Sequence, residues 1–481
     1  MPSYLIDVSV AGTQYDLATN DVLAVTSGGS LFYDPGLYAS VPAISASYSN
    51  RLMVAGSVMS TYTAIELGTP NGVPSSNGYS TLHVQAGGIV HSFRGAALSV
   101  SGTNQYVKNE GTLSGYVGIT SGFFDSAYAN GLSIQNAGSI SGEDSGIRAI
   151  LMTGPFTLGN TGSITSFKSE TNNSYSQLGY LNGAVVLGGN GVSVNNAGTI
   201  LSSATNGYGV AVQGDAAQVL NSGLIQTAST NAGRAAVDLI TQTGQTALFN
   251  NSTGGRVVSA LTAVEGGDGN EQVFNAGSIS GHVRLGAGTD LFDGRGGTVM
   301  GLVDGGADND TLWGGAGSDS LLGGLGNDDL RGLGNDDALD GGDGLDTLLG
   351  GLGDDTLLGG LNADTLNGGA GDDLLQGGRQ KDRLIGGAGA DVFQFLNLDT
   401  GVGAAADVIV DFTKGVDDID LSAIRAGQIF IGSAAFGNVA GQVRYAAATG
   451  VLQGDTNGDG VANYEIVLTG KPAITAADLI L

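Results

Sequence analysis

The stretch that decides the fold begins at Gly305-Gly-Ala-Asp-Asn-Asp310-Thr-Leu312-Trp313 and runs without a change of register to Gln394. It consists of ten nine-residue units, each with a glycine-rich turn, an aspartate at position six and a large apolar residue at position eight. A tandem repeat with this short period predicts a solenoid in which each unit stacks on its neighbours. The units start at residues 305, 314, 323, 332, 341, 350, 359, 368, 377 and 386.

The first six positions of each unit have the chemistry of a calcium loop. Glycine-dominated residues form a tight turn that can direct carbonyl oxygens inwards, and the aspartate adds a carboxylate. Ca²⁺ takes roughly six to eight such oxygens, so neighbouring turns are expected to share ions. The candidate carboxylate ligands are Asp290, Asp308, Asp310, Asp319, Asp328, Asp337, Asp346, Asp355, Asp364, Asp373 and Asp391. The candidate carbonyl donors are Gly315, Gly317, Gly324, Gly326, Gly342, Gly344, Gly351, Gly353, Gly369 and Gly371.

The last three positions of each unit predict a short strand whose middle residue points into a narrow apolar core. A disordered linker rich in glycine and aspartate is the alternative, but a linker has no reason to keep a large apolar residue at position eight. These core residues are Leu312, Leu321, Leu330, Leu339, Leu348, Leu357, Leu366, Leu375, Leu384 and Phe393.

The acidic residues are concentrated in the repeats. The chain of 481 residues has 45 acidic and 17 basic residues, and residues 285–394 alone hold 20 Asp against 5 Lys and Arg. Roughly eight divalent ions would balance this local excess. Without them, carboxylates on turns about 5 Å apart repel one another, and weak glycine-rich strands cannot offset the chain entropy. We therefore expect this region to be disordered without calcium and ordered with it.

Some units depart from the pattern. Asp308 and Asn362 replace glycine at position four, and the sequence Arg379-Gln380-Lys381 places two cations in a ligand loop. We expect this last loop to hold no ion or to be structural only.

The composition indicates a turn-dense β-protein of two or three domains, because the chain has 86 Gly and only 7 Pro. It has no cysteine, so an exported form must be stabilised by metal and stacking instead of disulfides. The start, Met1-Pro-Ser-Tyr-Leu-Ile-Asp-Val8, lacks the basic and apolar regions of a Sec signal, and no apolar run is long enough to span a membrane. Strong acidity argues against a nucleic-acid partner.

The residues after the repeats resemble a known module. The motifs are Asp407-Val-Ile-Val-Asp411-Phe412, Asp417-Asp-Ile-Asp-Leu-Ser422, Gly454-Asp-Thr-Asn-Gly-Asp-Gly460 and the ending Asp478-Leu-Ile-Leu481. The stretch 386–481 is similar to the C-terminal module of serralysin-type RTX proteins. That resemblance implies a cap on a calcium β-roll, an uncleaved secretion signal, and export from a Gram-negative cell through type I secretion machinery. Leu479-Ile-Leu481 also fits a final edge strand, and this does not exclude a role in the secretion signal.

One segment of this module has partial EF-hand chemistry. Asp455, Asn457 and Asp459 stand at ligand positions one, three and five, but position twelve is Ile466, where a bidentate Glu is expected. A partial calcium turn and a plain polar turn remain as alternatives.

A second, longer repeat occupies residues 81–284 and is marked by Asn-x-Gly-x-(Ile/Leu). Copies recur about every 24 residues, with alternating strands before and between them, which is the length of one rung of a right-handed parallel β-helix. We expect the asparagines to form a ladder of turn residues that tolerate left-handed geometry, and we favour this over a ligand role. The similarity to passengers of bacterial surface adhesins is architectural only. The asparagines are Asn109, Asn136, Asn160, Asn196, Asn221 and Asn275, with a degenerate copy near Asn251.

These patterns predict an all-β chain of four regions: a cap or partner-binding region at 1–80, the β-helix at 81–284, the β-roll at 285–394 and the C-terminal module at 395–481. Residues 1–80 show no rung motif. The longest rung carries an insertion at Ser166–Tyr180, with Lys168, Glu170 and Tyr175, that is the best candidate for a protruding contact loop.

Two classes of function are compatible with this organisation. The first is a non-catalytic extracellular scaffold, such as an adhesin, matrix or surface-layer protein, with possible self-association or contact with surface polysaccharide. The alternative is a β-helical uronan lyase or epimerase. No H-E-x-x-H or G-x-S-x-G motif occurs, and charged residues are sparse before residue 285. The nearest cluster is Glu143, Asp144 and Arg148, which a solvated turn also explains, so we favour the scaffold.

Overall fold

The computed structural model describes residues 3–6, 9–11, 14–17, 21–33, 42–46, 50–67, 80–101, 104–121, 131–149, 155–167, 183–204, 206–231, 233–396 and 399–481. The chain divides into two compact units, Met1–Val283 and Arg284–Leu481. The described residues contain strands and two short 3₁₀ turns but no α-helix. The predicted all-β class is therefore confirmed.

The first unit consists of short strands. In chain order they are β1 (Ser3–Ile6), β2 (Ser9–Ala11), β3 (Tyr15–Leu17), β4 (Val22–Val25), β5 (Ser30–Tyr33), β6 (Ile44–Ala46), β7 (Arg51–Val54), β8 (Ser57–Ser60), β9 (Ile65–Leu67), β10 (Thr81–Val84), β11 (Ile89–Ser92), β12 (Ala96–Val100), β13 (Tyr106–Asn109), β14 (Thr112–Ser121), β15 (Ser133–Asn136), β16 (Ser139–Ala149), β17 (Phe156–Asn160), β18 (Ser163–Ser166), β19 (Gly183–Gly188), β20 (Val192–Asn196), β21 (Thr199–Ser202), β22 (Tyr208–Gln213), β23 (Ala217–Asn221), β24 (Leu224–Thr227), β25 (Val237–Ile240), β26 (Thr246–Asn251), β27 (Arg256–Glu265), β28 (Asn270–Asn275) and β29 (Ser278–Ala287).

These strands form three parallel stacks, and one strand from each stack makes a rung. The first stack is β1, β4, β7, β10, β13, β15, β17, β20, β23, β26 and β28. The second is β2, β5, β8, β11, β18, β21 and β24 with the starts of β14, β16 and β27. The third is β3, β6, β9, β12, β19, β22 and β25 with the ends of β14, β16 and β27. This is the predicted parallel β-solenoid.

The core of the first unit follows from strand alternation. Along β4, Leu23 and Val25 are buried while Val22 and Ala24 are partly exposed. Within a stack, parallel pairing keeps the side chains of one face in line, so alternate residues of most strands lie in the same interior. The larger core residues include Phe156 and Phe249, both fully buried.

The predicted asparagine ladder is present in this unit. Each buried asparagine donates from Nδ2 to Oδ1 of the next, over 2.7–2.9 Å, from Asn109 through Asn136, Asn160, Asn196, Asn221 and Asn251 to Asn275. None of these residues has a positive φ. The expectation of left-handed geometry was wrong, because each asparagine ends an extended strand and directs its amide into the stack.

The described residues before residue 81 do not form the separate cap that the sequence predicts. Their described strands, β1 to β9, pair in parallel in the same three stacks as the rest of the unit. A rung requires alternating apolar residues but not the Asn-x-Gly corner. The prediction of rungs depended on that corner motif, so it did not include these rungs. The predicted contact loop lies mostly in residues 168–182, outside the described residues.

The second unit is also built from strands. They are β30 (Leu291–Asp293), β31 (Thr298–Met300), β32 (Leu302–Ala307), β33 (Thr311–Gly315), β34 (Ser320–Leu325), β35 (Asp329–Gly334), β36 (Ala338–Asp343), β37 (Thr347–Leu352), β38 (Thr356–Leu361), β39 (Thr365–Ala370), β40 (Leu374–Arg379), β41 (Arg383–Ala388), β42 (Val392–Gln394), β43 (Asp407–Ile409), β44 (Asp418–Asp420), β45 (Ile429–Phe430), β46 (Gln442–Ala446), β47 (Val451–Asp455), β48 (Tyr464–Leu468) and β49 (Leu479–Ile480), with 3₁₀ turns at Gly403–Ala405 and Ala476–Asp478.

The nonapeptides form a two-sided β-roll in which two units make one turn. Strands β33, β35, β37, β39 and β41 stack on one side, and β32, β34, β36, β38, β40 and β42 stack on the other. Each residue pairs with the residue 18 positions further on, as Leu348 does with Leu366. All ten predicted core residues, Leu312 to Phe393, are at most 1% exposed.

The C-terminal module continues both sides of the roll and then covers its end. Strand β43 pairs with β41, and β44 pairs with β42. An antiparallel meander of β46, β47 and β48 returns to β43. The last strand, β49, pairs in parallel with β44, so Leu479–Ile480 does form an edge strand.

Candidate metal centre

The turns of the β-roll line up along two edges. The first edge consists of loops 305–310, 323–328, 341–346, 359–364 and 377–382, and the second edge consists of loops 314–319, 332–337, 350–355, 368–373 and 386–391. Successive loops on one edge belong to successive turns of the roll, roughly 4.8 Å apart. Each loop ends in the aspartate of position six.

Along each edge these aspartates form a ladder. In all of them except Asp319, Oδ1 accepts a hydrogen bond from the backbone N–H of an aspartate one turn earlier, over 2.7–3.1 Å. These side chains are buried, with Asp355 and Asp364 only 1% and 2% exposed. One oxygen of each of these carboxylates is thus fixed in place by the backbone of the neighbouring turn.

The second oxygen of most of these carboxylates is buried without a hydrogen bond. Oδ2 accepts no donor from the described part of the chain in Asp310, Asp328, Asp337, Asp346, Asp355, Asp364, Asp373, Asp382, Asp391 and Asp407. A buried carboxylate oxygen in this condition is strongly destabilising unless a cation or a proton compensates it. Ten such atoms in two regular rows point to a ligand that recurs with the repeat.

The glycine at position one leaves space beside this oxygen. A Cβ atom added to any of the ten position-one glycines, from Gly305 to Gly386, would lie 2.1–2.6 Å from Oδ2 of the aspartate in the same loop. At Gly350 the same point lies 2.6 Å from the carbonyl oxygen of Gly368 on the next turn. The missing side chain therefore keeps a small cradle open between a carboxylate oxygen and a carbonyl oxygen.

Burial makes the ionised form of these aspartates unfavourable in the absence of a cation. Desolvation, aided by neighbouring carboxylates, raises the pKa of Asp310, Asp364 and Asp382 to about 8. It raises the pKa of Asp337, Asp373 and Asp407 to about 7 and that of Asp346 and Asp391 to about 6. In the metal-free turns, the buried carboxylates therefore favour the uptake of either protons or metal.

The donor set fits a hard divalent cation. Among the described residues, no three His, Cys, Asp or Glu side chains come close enough together to hold an ion by themselves. Any site on these edges must therefore combine the aspartate with backbone carbonyls. That oxygen-only mixture is the kind that Ca²⁺ prefers.

The comparison with known families agrees with this chemistry. Residues 302–481 match the Peptidase M10 serralysin C-terminal family. The match spans most of the β-roll and the whole C-terminal module, and it confirms the resemblance stated from the sequence motifs. Repeats of this RTX type bind calcium, so the serralysin-type module is a calcium-binding β-roll.

Among solved structures, the chain is similar to a subunit of the Azotobacter vinelandii mannuronan C5-epimerase, determined in solution. The identity is 25%, the match covers 36% of this chain and 78% of that one, and the TM-score is 0.21. No curated protein shows significant similarity to the chain. No helix in the described residues has the length and apolarity needed to cross a membrane.

The candidate ligands named from the sequence do not all occupy equivalent places. Asp319 differs because its Oδ2 accepts a hydrogen bond from the Gly315 N–H over 2.7 Å. Asp308 is exposed at position four with a φ of 75°. The glycines of positions two and four line the same loops; at Gly344, for example, a Cβ would collide with the carbonyl oxygen of Gly326.

The ladder extends beyond the predicted ligands in the serralysin-type module. Asp382 accepts from the Asp364 N–H and donates its own N–H to Asp407, and Asp417 accepts from Asp391 in the same way. The cations Arg379 and Lys381 made loop 377–382 look unsuited to a ligand role. Both side chains are exposed, however, and position six still carries a buried aspartate in register.

The segment with partial EF-hand chemistry is a tight polar turn. Both carboxylate oxygens of Asp455 accept backbone N–H groups, from Asn457 and Gly458 at Oδ1 and from Gly460 at Oδ2. Asp459 and Asn457 also bond to each other. A carboxylate oxygen that accepts an N–H group can also bind a cation, so the partial calcium turn stays a prediction.

The charged cluster near Glu143 is not a solvated turn. Asp144 and Arg148 lie in strand β16, form an ion pair and are almost fully buried. The solvated-turn interpretation was wrong because the third stack buries both faces of its strands here, as in the fully buried β19.

A second charged cluster lies in the same stack and was missed because its members are far apart in sequence. Arg234 donates to the Tyr208 hydroxyl and stacks on its ring at 4.6 Å. Asp238 pairs in register with Glu265 on the next strand. Burial, aided by Glu265, raises the pKa of Asp238 to about 7, and burial raises that of Tyr208 to about 12. No motif marks these positions, and only the rung register brings them together.

Proposed function

We propose that the protein is an extracellular structural protein whose second unit folds when it binds calcium. The observation that carries this proposal is the pair of aspartate rows whose Oδ2 atoms are buried without hydrogen bonds. Such rows are unfavourable in a chain that must stay folded without metal, and they become favourable when a divalent cation lies beside each oxygen.

The repeat geometry supports about eight ions. Each edge has five loops, and each neighbouring pair of loops on one edge brings together two aspartates and the glycines between them. Four such pairs on each edge make up the total. We assign Oδ2 of the ladder aspartates and carbonyl oxygens of the glycine loops as ligands, with Asp382 included.

Calcium binding on this scale is sufficient to decide the folding of the unit. At free calcium ten times the dissociation constant, one site contributes about 1.4 kcal/mol of stability. Eight sites then contribute roughly 11 kcal/mol, which is similar to the total stability of about 5–15 kcal/mol of an ordinary domain.

Coupling of folding to calcium also supports export by type I secretion. Calcium is scarce inside a bacterial cell and abundant outside it, so the module would remain extended until it leaves a Gram-negative cell. In a strain with a type I transporter, we expect the full chain in the medium, and a chain lacking residues 386–481 to stay inside. Export of the shortened chain would contradict this assignment.

The scaffold role is tested against the enzyme alternative by incubating the full chain with alginate and pectate in calcium. We expect no unsaturated or epimerised sugar. New sugar products that a buffer control without the protein does not form would overturn the scaffold proposal.

A further inference from the structure

The first edge of the β-roll carries an exposed apolar patch. Leu325, Leu345 and Leu361 lie on three successive turns, and they are 55%, 57% and 40% exposed. Turns are roughly 4.8 Å apart, so the three side chains fall within about 10 Å along the edge. Clustered exposed leucines on a strongly acidic chain form an apolar patch on which another molecule can dock.

Charges on the first edge flank this patch with opposite signs. Asp308 is exposed on the first of its five turns, and Arg379 and Lys381 are exposed on the last. Asp343 is exposed on the central turn. Positions three to five of each loop face outwards. At these positions the first edge carries two acidic and two basic residues, although the repeats as a whole are strongly acidic.

The second edge provides the contrast. Its outward positions carry Asp336, Asp354 and Asp372 on three successive turns, all exposed, and no basic residue. It also has one exposed leucine, Leu352, which is 65% exposed but stands alone. Two copies of this edge would repel each other, so only the first edge suits contact between identical chains.

We propose that the first edge is a two-fold interface between two copies of this chain. The five turns are symmetric about loop 341–346. When a second copy lies antiparallel against the edge, Leu345 faces Leu345 of the partner subunit and Leu325 faces the partner's Leu361. Asp308 then meets the partner's Arg379 and Lys381. A two-fold axis makes the Leu325 and Asp308 contacts twice and the Leu345 contact, which lies on the axis, once.

The apolar contacts of this arrangement use residues at the same loop position on both sides. Leu325 and Leu361 both stand at position three, so antiparallel superposition brings them together without a shift along the loop. The two Asp343 carboxylates form the one unfavourable pair, near the axis. The interface is also small, so the dimer is weak and forms on the order of micromolar concentration.

The dimer rests on the proposed function, because the edge exists only when calcium has folded the β-roll. Sedimentation velocity of the full chain in millimolar calcium should show a concentration-dependent dimer. Leu345→Arg should raise its dissociation constant at least roughly tenfold. Leu352→Arg, a matched change at a more exposed leucine on the second edge, should leave it unchanged. Circular dichroism in calcium separates loss of the dimer from loss of folding.

A charge exchange tests the antiparallel register. Arg379→Asp combined with Lys381→Asp should weaken the dimer, and adding Asp308→Arg should restore it, because the signs are then swapped at both ends. A wild-type chain that folds with calcium yet remains monomeric at 100 micromolar or more, roughly a hundredfold above the expected constant, would overturn the proposal. An equal effect of Leu345→Arg and Leu352→Arg, or no restoration by Asp308→Arg, would do so as well.

Discussion

Two adjacent aspartates in loop 350–355 have different environments. Asp355 is 1% exposed and its Oδ2 accepts no hydrogen bond from the described residues, whereas Asp354 is exposed and its Oδ1 accepts the Asp372 N–H. At the scale of single residues, burial and an open coordination position distinguish a ligand from a surface carboxylate. The repeat pattern separates the two by position, because Asp355 stands at position six and Asp354 at position five, but it does not show these environments.

Asp355→Asn should therefore raise the calcium concentration at the folding midpoint by roughly an order of magnitude, because ligand charge sets affinity and each ladder aspartate serves two neighbouring turns. Asp354→Asn keeps the oxygen that accepts the Asp372 N–H, so it should change the midpoint little. Calcium titration of both variants by circular dichroism measures the difference. Equal midpoints would contradict the assignment of Asp355 as a ligand.

Gly350→Ala should also weaken calcium binding several-fold. Its Cβ would lie 2.2 Å from Oδ2 of Asp355 and 2.6 Å from the carbonyl oxygen of Gly368, within the proposed ion cradle. Gly317→Ala is the control, because a Cβ there meets nothing within 4 Å. Isothermal calorimetry with calcium compares the two. A Gly350→Ala protein with unchanged affinity would place the ions elsewhere.

The nonapeptide period predicted which aspartates come into register along the edges, and their role as calcium ligands stays a prediction. Asp382 was left out of the predicted ligands because two cations, Arg379 and Lys381, stand in the same loop. The space at the position-one glycines depends on atoms one turn away, and no pattern within a single unit reveals it.

At the scale of structural elements, the asparagine ladder of the first unit is a buried hydrogen-bond network. Asn196→Ala leaves the Asn160 amide donor and the Asn221 acceptor without this partner, so it should lower the free energy of unfolding by about 1–3 kcal/mol. Asn195→Ala, at an exposed adjacent position, should have little effect. Urea unfolding followed by circular dichroism tests this, and equal destabilisation by both variants would argue against the ladder as a stabilising element.

The aspartate ladders predict a pH dependence in calcium-free buffer. Their folded-state pKa values are raised, to about 8 for Asp310, from the ordinary value near 4, so the folded unit binds more protons than the unfolded chain. Stability is therefore greatest in acid and is lost as pH rises through about 6–8. Circular dichroism at pH 5 should show more strand than at pH 8. The opposite trend would contradict burial of these carboxylates.

Elements with a signal inside one repeat were more predictable than elements that depend on pairing between strands. Strand alternation and the Asn-x-Gly corner predicted the rungs from residue 81 onward, because both carry a local signal. The rungs before residue 80 depend on pairing with neighbours, and the Tyr208 cluster depends on register between strands about 27 residues apart. Neither has a signature within one rung.

At the scale of the whole molecule, the two units are stabilised in different ways. The first buries apolar residues and an asparagine ladder in three parallel stacks. The second has a core of single leucines, and we propose that metal at both edges stabilises it. Calcium removal should therefore unfold one unit and leave the other intact.

Hydrogen exchange of the full chain, followed by mass spectrometry, tests this most directly. In millimolar calcium, amides of residues 302–394 and 183–283 should both be protected. In excess chelator at neutral pH, protection of 302–394 should be lost and that of 183–283 retained. Equal protection of residues 302–394 with and without calcium would contradict the account.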